Sequence, residues 1–231
     1  MKNRFALVVF SSLFSSSTFA LDLSVTVTNL THGNHFTPLL FAAHDANQHL
    51  FQIGQPASAS LQAMAEGGDI SLLSTDMMSV AADLSENPAA GLMMPGQTVQ
   101  FTMSTQSTNT QLSAVAMVLP TNDGFLGMNS LTLPTAPGRY EYYLNVYDAG
   151  TEANDEVING AGAPGVAGVP ADPLGVGGVN ATGVTTVESN QSVHVHRGIL
   201  GDTDATGGSS DLDSRVHRWL NPVAHLIIDV Q

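Results

Sequence analysis

Two acidic turns that follow strand-like runs are the parts of this sequence best suited to chemistry. The segment 147–152 reads Tyr-Asp-Ala-Gly-Thr-Glu and places Asp148 and Glu152 four residues apart around a glycine. The segment 120–124 reads Pro-Thr-Asn-Asp-Gly and carries Asp123. Calcium binds six to eight oxygen ligands, and carboxylates on flexible turns provide such ligands with little strain. The two turns together therefore predict a site for a hard cation.

The predicted role of this site is structural, because a bound cation would neutralise converging carboxylates and fix the two loops. Asp155 or Glu156 is close enough in sequence to add a ligand. An alternative is that Asp148 only accepts backbone hydrogen bonds within the Gly150 turn, as aspartate often does in turns. Both interpretations remain open at the level of sequence.

Residues 1–20 have the pattern of a secretory signal peptide. Lys2 and Arg4 precede an apolar run over 5–14, and a Thr-Phe-Ala motif typical of a cleavage site ends at Ala20. The apolar run is too short to span a bilayer, so we predict no transmembrane segment. The expected mature chain is 21–231, located in the periplasm or secreted.

Charge and cysteine content exclude several classes of function. The full chain has a net charge of −14, and the expected mature chain has four arginines and no lysine against 20 acidic residues, a charge of −16. Such a chain repels phosphate backbones and anionic membranes, so we predict no nucleic-acid partner, whereas divalent cations are natural counter-ions. An acidic surface that maintains solubility is the simpler alternative. The absence of cysteine excludes disulfides, blue copper centres, thiolate zinc sites and thiol catalysis.

Alternating hydrophobicity predicts one all-β domain over residues 21–231. The segment 21–29 alternates apolar and polar residues, as half-buried strands do. The segment 112–119 is nearly all apolar, which is typical of a central strand. Further strands are predicted over 39–43, 98–103, 139–147, 192–196 and 223–230. The dominance of strands favours an antiparallel β-sandwich.

Short helical insertions and long loops complete the predicted fold. Ser58 is a suitable N-cap for a helix that ends at the glycine pair 67–68, and Asp69 is a suitable cap for a second helix. The segment 158–183 holds eight glycines and three prolines without a regular period, so we predict a long glycine-rich loop.

Five segments, in order along the chain, resemble the spondin domain, the β-sandwich module of F-spondin and mindin that also occurs alone in bacterial exported proteins. The most specific is Asp-Ala-Gly-Thr at 148–151, which is similar to the Asp-Ala-Gly-Thr-Asp signature of that family. The other four resemble the family's opening segment, its glycine–alanine–serine stretch with a short helix, a turn and its last strand; they lie at 31–44, 54–68, 122–128 and 223–228.

The resemblance implies a C2-like β-sandwich that binds calcium and serves as a binding or adhesion module without catalytic activity. The metal ligands of the family correspond to Asp123 and Asp148, and Glu152 stands where the signature ends in aspartate. A further acidic ligand found in part of the family has no counterpart, since the segment 100–106 is uncharged. The implied cofactor is Ca²⁺, and the implied partner is an extracellular or surface protein or glycan.

A copper- or zinc-binding protein is an alternative. His194 and His196 lie two apart on a predicted strand, hence on one face, which suits either metal. Other histidines and two methionine pairs add to this alternative: His32, His35, His44, His49, Met77–Met78 and Met93–Met94. The simpler interpretation is structural histidines and methionines that fill gaps in the core.

A hydrolase is a third possibility, but neither a G-x-S-x-G elbow nor an H-E-x-x-H motif is present, so we predict no catalytic residues.

The segment 202–213 has aspartates at positions one, three and twelve and imitates an EF-hand calcium loop. It has Thr206 at position five and no helical pattern on its flanks, which favours a solvated acidic loop. Trp219 is the only tryptophan, and we expect it to pack on the core.

Overall fold

The computed structural model describes residues 20–231, so the predicted signal peptide lies outside the described residues except for Ala20. This part contains strands β1 Leu21–Asn29, β2 His35–Phe36, β3 Leu40–His44, β4 Asp83–Glu86, β5 Thr98–Thr105, β6 Gln111–Leu119, β7 Gly124–Thr132, β8 Gly138–Asp148, β9 His194–Val195 and β10 Ala224–Val230, and helices α1 Ala59–Gly67 and α2 Ser71–Ser79. Neither helix has the length and apolar character needed to cross a membrane.

The strands form one antiparallel sheet in the order β4-β3-β6-β7-β8-β10-β1-β5, with β2 added to β6 and β9 to β8. Strand β8 is shared, because its residues 138–144 pair with β10 while 145–148 pair with β7. The sheet bends back until its two ends nearly meet. The N–H of Gln106, just after β5, donates to the Asp83 carboxylate at the start of β4 (2.6 Å). The fold is all-β, as the sequence predicts.

Two apolar clusters explain the sequence pattern of the strands. Alternate residues of β1, Leu23, Val25 and Val27, are buried in the larger cluster inside the sheet. Strand β6 contributes alternate side chains to both clusters, and the second cluster lies under α1 and α2. The apolar run of β6 therefore indicates a strand that is covered on both faces, whereas the alternation in β1 indicates a strand that is covered on one face.

The two helices begin close to the positions that the sequence predicts. The hydroxyl of Ser58 accepts from the N–H of Leu61 (3.1 Å), and α1 ends at Gly68 in the left-handed conformation (φ 73°). Asp69 lies just before α2 and accepts from the N–H of Ser71 (2.9 Å), although the residue in the N-cap position is Ile70.

The strand predictions need correction in four places. The predicted strand 192–196 is wrong in extent, since only His194–Val195 pair with β8. Strands β2, β4 and β7 were not predicted. Two glycines and two polar residues interrupt the alternation of β7, which forms because it pairs with β6 and β8. At Gly127 a side chain would lie about 2.8 Å from the rings of Phe51 and Tyr147, so the glycine there serves close packing rather than a turn.

The glycine-rich segment 158–183 forms neither helix nor strand, as predicted, and buried carboxylates hold it in place. Asp172 accepts from the N–H groups of Leu174, Val176 and Gly177 at 2.7–3.0 Å. Asp211 accepts from the N–H groups of Ile158 and Ala181 at 2.9 and 3.1 Å. The loop is thus fixed through its backbone by acidic side chains.

Candidate metal centre

The register between β7 and β8 brings the two acidic turns together. Gly124, the first residue of β7, lies opposite Asp148, the last residue of β8. The N–H of Ala149 donates to the backbone carbonyl of Asp123 (3.3 Å). Both aspartates are almost completely buried, with 0% of Asp123 and 1% of Asp148 exposed. The two acidic turns therefore lie next to each other at one end of the sheet, with both aspartates buried.

Glycines in the two turns allow neighbouring segments to pack closely against them. Gly150 has a φ of 71°, and a Cβ atom there would lie 2.7 Å from the carbonyl oxygen of Asn190. A Cβ atom on Gly124 would lie 2.9 Å from the hydroxyl of Thr121 and 3.1 Å from the ring of His196. Only glycine fits at either position without displacing its neighbours.

The carboxylate of Asp123 is satisfied on one oxygen and unpartnered on the other. Its Oδ2 accepts from the N–H and the hydroxyl of Thr151 (2.8 and 3.1 Å) and from the N–H of Glu152 (3.1 Å). Its Oδ1 is buried and has no hydrogen-bond partner. A buried acceptor without a partner is costly, so this atom marks a place where a donor or a cation is needed.

Burial and charge both disfavour the ionised form of this carboxyl. Removal from water, and then the adjacent charge of Asp148, raise the pKa of Asp123 to about 7. Burial likewise raises the pKa of Asp148, although hydrogen bonds from Asn154 and Gly150 act in the opposite direction. A bound cation would favour the ionised form of both carboxyls and so offset the unfavourable effects of burial and of their like charges.

Glu152 contributes differently from the two aspartates. Its backbone N–H caps Asp123, whereas its own Oε2 accepts from the N–H of Gly168 in the glycine-rich loop (3.1 Å). Its Oε1 is a second buried oxygen without a partner. Burial, with smaller contributions from the charges of Glu66 and Asp123, raises the pKa of Glu152 to about 8.

A chain of hydrogen bonds that the sequence did not reveal orients Asp148. The N–H of Gly198 donates to Nδ1 of His196 (2.9 Å), so the proton of the neutral ring lies on Nε2, 3.1 Å from the Asn154 amide oxygen. The Asn154 amide nitrogen in turn donates to Oδ2 of Asp148 (2.7 Å). No sequence signal predicts this chain, because it joins residues 42 positions apart.

The same geometry does not favour His194 and His196 as a joint copper or zinc site. The strand ends at Val195, so His194 remains partly exposed, 3.7 Å from Asp148, while His196 turns inward beneath Trp219. Both ring nitrogens of His196 are engaged, and burial lowers its pKa to about 3. His196 therefore has no free lone pair for copper or zinc. Trp219 packs on the core, as predicted.

The neighbouring acids serve other purposes. Asp155 accepts from the side chain of Asn122 (2.7 Å), and Glu156 accepts from the N–H groups of Leu200 and Gly201, both at 2.8 Å. Both oxygens of Glu156 are engaged, which does not favour it as a further ligand, whereas both hydrogen bonds to Asp155 end on Oδ1, so Asp155 stays open as a further ligand.

The acidic segment 202–213 is a loop without flanking helices. Asp202 and Asp204 accept backbone N–H groups within the loop, and Asp213 forms an ion pair with Arg215 (2.6 Å). An EF-hand loop needs its twelfth residue free for the metal, so this geometry agrees with a solvated acidic loop.

The donors at the two turns are oxygens, which a hard cation prefers, but they do not form a complete binding site. Across residues 20–231, no three histidine, aspartate or glutamate side chains converge as a ready-made metal site. Asp123 and Asp148 would therefore need main-chain carbonyls, side-chain amide oxygens or water to complete a calcium shell, which are ligands that calcium commonly accepts. The unpartnered oxygens of Asp123 and Glu152 are suited to such an ion.

The fold and the paired turns define an all-β module with a buried acidic centre at one end of the sheet. The model of the Spondin_N family matches residues 6–157, which include both turns and Glu152. The chain therefore belongs to the Spondin_N family, as the sequence analysis expected. No curated protein is similar enough to the chain to match it. Residues 158–231, which include Gly168, His194 and His196, lie beyond the matched region.

Proposed function

We propose that this chain is an exported, calcium-stabilised binding module of the spondin type. The observation that carries the calcium assignment is the buried Oδ1 of Asp123, which has no partner and lies at the junction with Asp148. Two buried carboxylates of like charge destabilise a folded chain unless they are protonated or neutralised by a cation.

Calcium is the cation that this donor set favours. Every donor on the two turns is an oxygen, cysteine is absent and both nitrogens of His196 are engaged, so within residues 20–231 His194, 3.7 Å from Asp148, is the one neighbouring side chain that offers nitrogen to a softer metal. Asp123 would bind through Oδ1. Glu152 does not converge with the two aspartates, so its free Oε1 would reach the ion through a bridging water or after a small movement of the side chain. The oxygens of Asp148 each accept one hydrogen bond and retain a second lone pair. The bound ion would fix the turns and hold the loops at this end of the sheet.

The binding role rests on the family and on the architecture. A rigid sheet that carries long loops is the usual arrangement for recognition, because loops vary while the scaffold stays fixed. The loops from residue 158 onward expose several aliphatic side chains, which suit contact with a protein or glycan at a cell surface or in a matrix: Val166, Leu174, Val176, Val179 and Val187. We propose no catalytic activity, in keeping with the family.

Thermal unfolding of residues 21–231 tests the calcium assignment. The protein is stripped with a chelator and then titrated with calcium, magnesium, copper or zinc. A ligand that binds only the folded state raises its stability by about 2.7 kcal/mol at 100 times Kd. We expect calcium to raise the unfolding temperature of the wild type selectively and to leave that of Asp148→Ala unchanged.

The matched control is Asp204→Asn, an exposed aspartate in the acidic loop 202–213. It should retain the full calcium response. Loss of the response in this variant, with retention in Asp148→Ala, would move the site to the acidic loop. A rise with copper or zinc alone would favour the histidine alternative, and no response to any metal would leave the turns as hydrogen-bonded turns.

A further inference from the structure

The strands at the two ends of the sheet, β4 and β5, face each other without pairing. Within residues 20–231 no backbone hydrogen bond joins them. Side chains close the seam at one end, where Asp83 accepts from the N–H of Gln106 (2.6 Å) and from the side chain of Asn109 (2.8 Å). The seam is thus closed at the start of β4 and the end of β5.

Burial along β5 shows that the rest of the seam lacks cover. The inward-facing residues near the closed end, Met103 and Thr105, are 7% and 3% exposed. The inward-facing residues toward the other end, Val99 and Phe101, pack on the core but remain only partly buried. A strand lying beside β5 would bury these two side chains, as neighbouring strands bury the interior of β1.

A surface groove of about 540 Å³ lies over the seam. It is lined from α2, β4 and β5 by both apolar and polar residues: Met78, Ala82, Asp83, Leu84, Glu86 and Ser104. Met78 is 57% exposed despite its apolar side chain. The groove therefore offers unpaired strand edges together with apolar surface.

The charge around the seam has one sign. Asp83 and Glu86 lie on β4, and Asp22 lies beside β5, where it accepts from the hydroxyl of Ser104 (2.6 Å). The segment 50–138 contains no lysine, arginine or histidine to balance them. A second copy of this acidic chain is therefore a poor occupant, whereas a cationic segment is complementary.

Strand β5 also lacks the features that usually block edge pairing. It is eight residues long and contains neither proline nor a charged residue, although natural edge strands are commonly protected by one or the other. A strand edge without such protection is available for pairing with another strand.

We propose that the seam between β4 and β5 binds an extended segment of a partner protein with alternating apolar and basic residues, which adds to the free edge of β5 as a strand. Its apolar side chains cover Val99 and Phe101, and its basic side chains face Glu86 and Asp22 on the outer surface. Main-chain hydrogen bonds supply affinity and the alternation supplies specificity, as in other cases of strand addition. The seam is built from other elements than the acidic turns, so the proposal does not depend on calcium.

The test uses a capped ten-residue peptide of alternating lysine and valine, added to residues 21–231 at low ionic strength. Hydrogen exchange of the β5 amides, Thr98–Thr105, should slow on binding. A peptide of alternating glutamate and valine should bind at least about tenfold more weakly. A lysine–valine peptide methylated on alternate backbone nitrogens, which cannot pair as a strand, should give no protection.

Glu86→Lys tests the position of the peptide, because Glu86 is exposed at the end of β4. The substitution removes an exposed ion pair with the peptide and replaces it by a repulsion of similar size, so binding should weaken about three- to tenfold. The matched control is Glu188→Lys, which makes the same change on a partly exposed loop position away from the seam. Circular dichroism would be used to check that both variants fold.

Three results would overturn the proposal. Equal effects of the two variants would mean that the peptide responds only to net charge. Binding without slowed exchange in β5, or equal binding of the methylated peptide, would exclude strand addition. A free protein that is dimeric with β5 already protected would show that a second copy occupies the edge.

Discussion

Replacing Asp123 by asparagine separates the cost of the buried charge from the benefit of the metal. Asparagine has nearly the same shape, and its amide oxygen can occupy the Oδ2 position, where it keeps the three hydrogen bonds from Thr151 and Glu152. Its NH₂ group then replaces the unpartnered Oδ1 beside Asp148. The substitution removes one of the two like charges and the proposed ligand while it preserves the turn.

The expected magnitude follows from the pKa of Asp123. Burial and Asp148 raise this pKa from 3.8 to about 7 in the folded chain. Each unit corresponds to about 1.4 kcal/mol, so the ionised carboxylate costs the metal-free fold about 4 kcal/mol above pH 7. The NH₂ group of asparagine lacks a full set of acceptors, which costs about 1–2 kcal/mol. Asp123→Asn should therefore stabilise the metal-free protein by about 2–3 kcal/mol at pH 8.

The sign of this effect depends on pH and on calcium. Because the folded pKa is raised, the folded state holds more protons than the unfolded state between pH 3.8 and about 7. The wild type consequently loses stability as pH rises through this window, and the variant does not. The advantage of the variant should be largest at pH 8 in chelator and should shrink toward pH 4.5. Saturating calcium should reverse the order, because only the wild type gains from it.

Urea unfolding at pH 4.5 and pH 8, each in chelator and in calcium, measures all four free energies. Asp204→Asn serves as the control and should follow the wild type in every condition. If Asp123→Asn is less stable than the wild type at pH 8 in chelator, the carboxylate is needed as a charged cap, and the argument from the unpartnered oxygen is refuted.

Three further predictions follow from the buried polar groups around the centre. The ring of His196 should stay neutral by NMR down to about pH 4, because burial holds its pKa near 3. Its native signal should disappear when the protein unfolds rather than shift by titration, and a titration midpoint near 6.5 would contradict this. Gly150→Ala should lower the free energy of unfolding by more than about 2 kcal/mol in urea, because the new methyl group meets the backbone of Asn190 at a positive φ; an unchanged value would contradict it. Glu156→Gln should cost about 1–3 kcal/mol and speed amide exchange across 200–212, with no change in the calcium-induced shift, since it turns an NH₂ group toward backbone donors.

The sequence predicts those parts of the fold in which local pattern and tertiary environment agree. Strand β1 alternates because one face is buried, and α1 has its cap and its terminal glycines in the expected places. Strand β7 was not predicted because Gly124 and Gly127 are needed for close contacts with side chains that are distant in sequence, His196 for the first and Phe51 for the second. The short strand β4 escapes because it pairs with β3 alone and has no alternation.

The site follows the same division. Two acidic turns at strand ends are visible in the sequence, but their meeting depends on β7, which was not predicted: Asp123 precedes β7, whose first residue lies opposite Asp148. The unpartnered oxygen on Asp123 is not predictable, since it results from three donors that all approach the other oxygen. Asn154 and His196 were missed because neither stands in a motif, although Asn154 follows Asp148 by only six residues.

The residues beyond the family match complete the acidic centre, and this ties the proposed metal to the loops. Gly168 donates to Glu152, and His196 acts through Asn154 on Asp148, so two elements from 158–231 fix carboxylates that belong to the matched part. A cation that orders Glu152 would also stabilise the glycine-rich loop through the hydrogen bond from Gly168. By reciprocity, a partner that orders the loop must tighten cation binding by the same factor. Calcium would then act on recognition through loop order, without touching the partner.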